Sequence, residues 1–118
     1  MNLDEHLGPP LPLRDWLDRL GDFPADGWLT VSANTTRVSL DTICRPIVTN
    51  GRDLSDDEDD ALEAALDAAR LTWFLNEDQL EDIVVNLALQ VDHYSPEQLL
   101  AAIQYYWAHD AFIELRDA

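Results

Sequence analysis

The sequence predicts an α+β fold, with about four helices packed on a small mixed or antiparallel sheet in a single domain, and three observations carry that expectation. Ser55, Asn76 and Ser95 each stand three residues ahead of a Glu or Gln (Glu58, Gln79, Gln98), the spacing at which a cap and its reciprocal partner open a helix. Between and before these starts lie β-prone stretches, Trp28 to Ala33 and Leu71 to Leu75. The chain has 118 residues, 47% of them apolar and 26% charged, which is enough for one hydrophobic core and too little for two.

The first twelve residues include Gly8, Pro9, Pro10 and Pro12 and read as a loosely held arm, able to pack but unable to form a continuous helix. Leu13, Trp16, Leu17 and Leu20 then recur at helical spacing, which predicts a first helix over 13–20, entered at Pro12 and stopped by Gly21. Phe23 to Gly27 is a turn. Trp28 to Ala33 alternates as a strand, and Arg37 to Leu40 repeats the alternation, so the two predict a hairpin around Asn34-Thr35-Thr36. Ile43 to Thr49 is apolar but interrupted by Pro46, which limits it to an edge strand or an irregular extended stretch ending at Asn50-Gly51.

A second helix is expected over 56–70, with Leu62, Ala65, Leu66 and Ala69 as a narrow apolar stripe. Leu71 to Leu75 follows as a buried central strand or an extension of that helix. Helices over 77–90 and 96–109 come next, the last with Ser95 as cap and Pro96 in the first turn. Ala111 to Leu115 either ends that helix or adds a final strand.

Charge is the dominant compositional signal: seven basic residues, all Arg, stand against 24 acidic ones for a net charge of −17. Such a surface repels phosphates and anionic lipid and attracts basic partners, so direct nucleic-acid binding and membrane-surface binding are not expected. No apolar run of signal-peptide or membrane-span length occurs near Met1 to Pro12, and a cytoplasmic location is expected. Cys44 is the single cysteine, which excludes an internal disulfide and a Cys-based zinc site within one chain and reads as a small buried hydrophobe.

No catalytic or cofactor motif is present. His6, His93 and His109 lack metal-ligand spacing, no Gly-rich phosphate loop occurs, and carboxylates are too plentiful here for pairs of them to be diagnostic. An enzyme is not expected, nor a cofactor or metal. The strongest constellation is the block Asp53, Asp56, Asp57, Glu58, Asp59, Asp60, Glu63 and Asp67, eight carboxylates with no base before Arg70. Its plain reading is a solvated helix face; its functional reading is a docking surface whose field speeds encounter with a basic protein. It lacks the Gly and the final Glu of an EF-hand loop.

The second constellation is Tyr105-Tyr106-Trp107 near His109 and Phe112. Successive helical side chains are about 100° apart, so three consecutive rings cannot share one inward face. Tyr106 and Trp107 fit the stripe of Leu99 and Ile103, which leaves Tyr105 as the exposed ring and a candidate anchor. Asp110 is expected to cap the turn that follows.

Trp16-Leu17, Leu40-Asp-Thr-Ile-Cys44, Leu80-Glu-Asp-Ile-Val84 and Tyr105-Tyr106-x-x-x-Asp110-Ala111-Phe112-Ile113 resemble a family of small acidic bacterial proteins, similar to the immunity proteins of polymorphic-toxin and contact-dependent inhibition systems. The resemblance implies a cytosolic protein that neutralises one cognate toxin by covering it. The expected partner is then a basic toxin, for example a nuclease, encoded nearby, and the expected contacts are Asp56, Asp57, Asp59, Asp60, Glu63 and Asp67 with Tyr105. The alternative is a nucleic-acid mimic that inhibits a DNA- or RNA-binding complex with carboxylates in place of phosphates.

Overall fold

A computed structural model of the chain describes residues 2–23, 27–48 and 54–115. Pro24 to Asp26 of the expected turn, Thr49 to Gly51 at the end of the extended stretch, and Asp53 of the acidic block lie outside the described residues. The fold is α+β, as the sequence predicts: helices α1 (Leu13–Leu17), α2 (Asp56–Ala68), α3 (Glu77–Gln90) and α4 (Pro96–His109), with strands β1 (Leu11–Pro12), β2 (Trp28–Ser32), β3 (Ile43–Pro46) and β4 (Leu71–Asn76). The strands form an antiparallel sheet in the order β1-β3-β2-β4.

The three expected capping boxes all form. The side chains of Ser55, Asn76 and Ser95 accept from the backbone of Glu58, Gln79 and Gln98, whose side chains accept in return from the cap N–H. Local chemistry therefore sets where the long helices begin. α3 and α4 keep their expected bounds, and α2 ends two residues early because Arg70 takes a left-handed conformation (φ 58°) that turns the chain into β4.

The sheet departs from expectation at four places. Arg37 to Leu40 is not a strand: Val38 is buried as a core side chain, and its carbonyl accepts from the Gln104 amide of α4 (2.7 Å) instead of from β2. The neighbour of β2 is β3, with Leu29 opposite Pro46 and Thr30 opposite Arg45, so β3 is an inner strand despite its proline. Pro46 is tolerated because it ends the strand; its carbonyl faces the N-terminal arm and accepts from Gly8 (2.9 Å), so its missing N–H falls on that side and not on β2. Leu71 to Leu75 is indeed extended, but β4 lies at the edge of the sheet and not at its centre.

The fourth departure is the arm. Leu3–His6 forms a 3-10 helical turn, Leu7 bridges to Ile47, and β1 pairs with β3. Gly8 makes that close approach possible, since a Cβ there would run into the Pro46 ring. α1 is also shorter than the periodicity implies, ending at Leu17, and residues 18–21 form a turn. Trp16 anchors it: the indole N–H donates to the buried Cys44 carbonyl (2.9 Å) and the ring meets Phe23 edge-on at 5.1 Å.

Alternation along the strands separates two apolar clusters. Leu29, Val31, Cys44 and Phe74 face α1, α3 and α4 and join Leu13, Trp16, Leu80, Ile83, Leu87 and Ile103 in the main core. Trp28, Ile47, Leu71 and Trp73 face the other way, where Leu62 and Leu66 of α2 and Leu3 and Leu7 of the arm cover them. The sheet is thus a middle layer, and α2 lies on the opposite side from α3 and α4. Residues 111–115 after α4 form neither helix nor strand; Ile113 and Leu115 pack on the main core, and the Gln90 amide bonds the backbone of both.

Candidate functional site

The acidic block is on α2, and the helix sorts its residues by side. Leu62 and Leu66 are buried against the sheet, with Ala61 and Ala65 half-buried beside them. Asp56, Asp60, Glu63 and Asp67 follow at i, i+4, i+7 and i+11, a stripe on the exposed side whose last two members border β4. Asp57 and Asp59 flank that stripe. All six are exposed, and none of their carboxylates has a hydrogen bond or ion pair among the described residues. Carboxylates in the first turn are favoured by the helix dipole, which explains Asp56, Asp57 and Asp59. It does not explain Glu63, in mid-helix, or Asp67, in the last turn, where the dipole disfavours a carboxylate.

Two further acids join this end of the molecule. Asp4 and Glu5 are exposed on the 3-10 turn that packs against α2, and sequence reasoning missed them because they lie far from the block in the chain. Among the described residues the exposed cations are Arg14, Arg19, Arg37 and Arg70. Arg14 pairs with Asp41, Arg37 bonds Gln104, and Arg70 follows the C-terminal end of α2. Arg45 is half-buried and donates to the Gly8 carbonyl (3.1 Å).

Glu63 and Asp67 also line a groove of about 180 Å³ with Leu66 of α2 and Leu71, Thr72 and Trp73 of β4. The strand residues of this groove carry no charge, and sequence reasoning had no signal for them. Trp73 is steadied from the sheet side by Trp28, whose ring meets it edge-on at 5.6 Å.

Tyr105 is on another surface. It is 38% exposed on α4, its ring tilted over His109 at 4.4 Å. With Arg37, Val38, Gln104, Trp107, His109 and Ile113 it lines a groove of about 450 Å³. The sequence placed this ring beside the carboxylates as an anchor; the sheet separates the layer of α4 from that of α2, so the two candidates belong to different surfaces. Asp110 likewise differs from expectation: it closes α4 from a left-handed conformation (φ 53°), its N–H donating to the Tyr106 carbonyl (2.7 Å).

Cys44 is fully buried in the main core, and burial pushes its thiol from 9.0 up to about 12. It is a packing residue with little thiolate at neutral pH. Among the described residues no three His, Cys, Asp or Glu side chains converge as a metal-holding group, and no helix is long and apolar enough to cross a membrane. The arrangement places an acidic helix face beside an edge strand, with Glu63 and Asp67 at the groove between them.

No curated protein and no solved structure matches the chain. Residues 10–115, from β1 to the end of the packed tail, match a family described as a domain of unknown function, and the chain belongs to that family, DUF7716.

Proposed function

We propose that this protein is a cytoplasmic, non-enzymatic inhibitor of the immunity-protein kind, which binds a basic toxin through the outer face of α2 and covers its active site. The observation that carries the reading is the set of six exposed carboxylates, Asp56, Asp57, Asp59, Asp60, Glu63 and Asp67, with no compensating partner among the described residues. Within α2, Asp56–Asp60, Asp59–Glu63 and Glu63–Asp67 are like-charge pairs at i, i+4, each destabilising the helix by roughly 0.2–0.5 kcal/mol. No Lys or Arg within α2 offsets them.

The patch is compact. A 13-residue helix is about 20 Å long, against a molecular long axis of 48 Å. That supports a surface matched to one basic cleft over a nucleic-acid mimic, which needs rows of carboxylates along an extended face. A nuclease toxin has a cationic phosphate site of the required kind, and an acidic helix competes for the same charges.

The test is association with the product of the neighbouring open reading frame, followed by stopped flow or surface plasmon resonance as salt is raised. The association rate is expected to fall steeply with salt. The quadruple substitution Asp56→Asn, Asp57→Asn, Asp59→Asn, Asp60→Asn, with an unchanged circular dichroism spectrum, is expected to slow association by about tenfold or more. A rate indifferent to both salt and substitution removes this surface from the proposal.

A further inference from the structure

We propose that the free edge of β4 receives an extended basic segment of the partner as a fifth strand, with Glu63 and Asp67 taking up its Lys or Arg side chains. This rests on the reading above and names the binding mode at the same surface. Three independent features of the fold converge on it.

The first is the backbone. β4 pairs with β2 on one side, and among the described residues nothing pairs with the other. Ala33 donates to the Arg70 carbonyl (2.8 Å), and Val31 stands opposite Thr72 in the same register. Antiparallel ladders alternate, so Arg70 and Thr72 direct their backbone groups at β2, while Leu71, opposite Ser32, and Trp73, opposite Thr30, direct theirs outward. Each of those two residues offers one N–H and one carbonyl to an incoming chain.

The second is shape. The groove of about 180 Å³ is lined by Leu71, Thr72 and Trp73 together with Glu63, Leu66 and Asp67, so it runs between this edge and α2. Stretches of edge strand are usually guarded by Lys, Pro or a bulge. Here the bulge lies beyond the groove: Trp28 pairs with Asn76 and Thr30 with Trp73, leaving the extra residue of β4 between Trp73 and Asn76.

The third is charge. Glu63 and Asp67 are one helical turn apart on α2, exposed, and without a partner among the described residues. In an added strand alternate side chains point to the same face, so every second residue of the incoming segment projects towards α2. The occupant that fits is an extended segment with Lys or Arg at alternate positions.

A short synthetic peptide alternating Lys and Thr tests this against the same peptide N-methylated at alternate residues, which keeps the charge and removes the strand-forming N–H groups. The unmethylated peptide is expected to slow hydrogen exchange at the Leu71 and Trp73 amides and to bind about tenfold or more tightly than its methylated form. The double substitution Glu63→Gln, Asp67→Asn is expected to weaken the unmethylated peptide. Equal binding of the two peptides, no binding of either, or unchanged exchange at Leu71 and Trp73 overturns strand addition. The same exchange measurement in the complex with the neighbouring gene product keeps the two proposals apart. A salt-sensitive complex with unprotected Leu71 and Trp73 amides leaves the acidic-face reading standing without strand addition, and an absent complex removes that reading whatever the peptides do.

Discussion

Glu77 holds the loop at Gly21, 56 residues earlier in the chain: its Oε2 accepts the Gly21 N–H at 2.6 Å and the Phe23 N–H at 3.1 Å. The Glu77 N–H donates in turn to the Gly27 carbonyl (2.8 Å), so the first residue of α3 grips both ends of the loop between α1 and β2. Gly27 has φ 68°, and a Cβ there would sit 3.2 Å from the Glu77 Cβ, so glycine suits the position on both counts.

Replacing Glu77→Ala removes two charge-assisted hydrogen bonds from a half-buried site. A loss of about 1–2 kcal/mol in urea unfolding is expected. The local signature is faster amide exchange at Gly21 and Phe23; unchanged exchange there separates the carboxylate from the loop.

Gln90 acts on the tail as an extra strand residue would. Its Nε2 donates to the Ile113 carbonyl and its Oε1 accepts the Leu115 N–H, at 2.8 and 2.9 Å. Gln90→Ala is expected to release residues 111–115, costing about 1 kcal/mol and opening them to limited proteolysis. Protease resistance equal to that of the parent chain argues that Ile113 and Leu115 hold the tail by packing alone.

Asp110 places a carboxylate at the C-terminal end of α4 and adopts a left-handed conformation. Both features favour glycine. Asp110→Gly is expected to raise stability by about 0.5–1 kcal/mol, read as an increase in the urea midpoint with no change in slope.

Cys44 gives a pH dependence of known sign. In the folded chain the thiol titrates at about 12 against 9.0 when exposed. Its contribution is therefore fully present below pH 9 and is lost as pH rises towards 12, because the unfolded chain releases the proton first. Urea unfolding at pH about 8 and about 11 should show a smaller decline for Cys44→Ala than for the parent. Thiol reagents at neutral pH should label Cys44 only as fast as the core opens.

Asp67→Lys separates helix energetics from recognition, because the two effects carry opposite signs. A Lys there pairs with Glu63 at i, i+4 in the favourable order and complements the C-terminal dipole of α2, so stability should rise by about 0.5–1 kcal/mol. Association with the basic partner should slow. Faster association would place the contact away from this face.

The acidic surface was legible because a charge run on one helix is a local property: once Leu62 and Leu66 turn inward, the exposure of Asp56, Asp60, Glu63 and Asp67 follows from helical geometry. The groove beside it was not legible. Leu71, Thr72 and Trp73 read as a buried central strand or a helix extension, and only the arrangement of strands puts them at the sheet edge. Tyr105 was correctly singled out as a ring at a surface, but its separation from α2 depends on which face of the sheet each helix covers.

The sequence by itself determined the α+β class, the starts of α2, α3 and α4, the inward stripes, the buried Cys44 and the sign of the surface. All of these depend on contacts within a few residues or on composition, where capping, periodicity and charge act directly. Only the tertiary structure decided that the arm pairs with β3, that β3 lies inside the sheet in spite of Pro46, that Val38 is a core residue instead of a strand residue, and that β4 ends the strand order. Those outcomes are set by pairings between distant segments, in which several extended stretches with similar propensity compete for the same backbone partners. Packing against the helices decides among them.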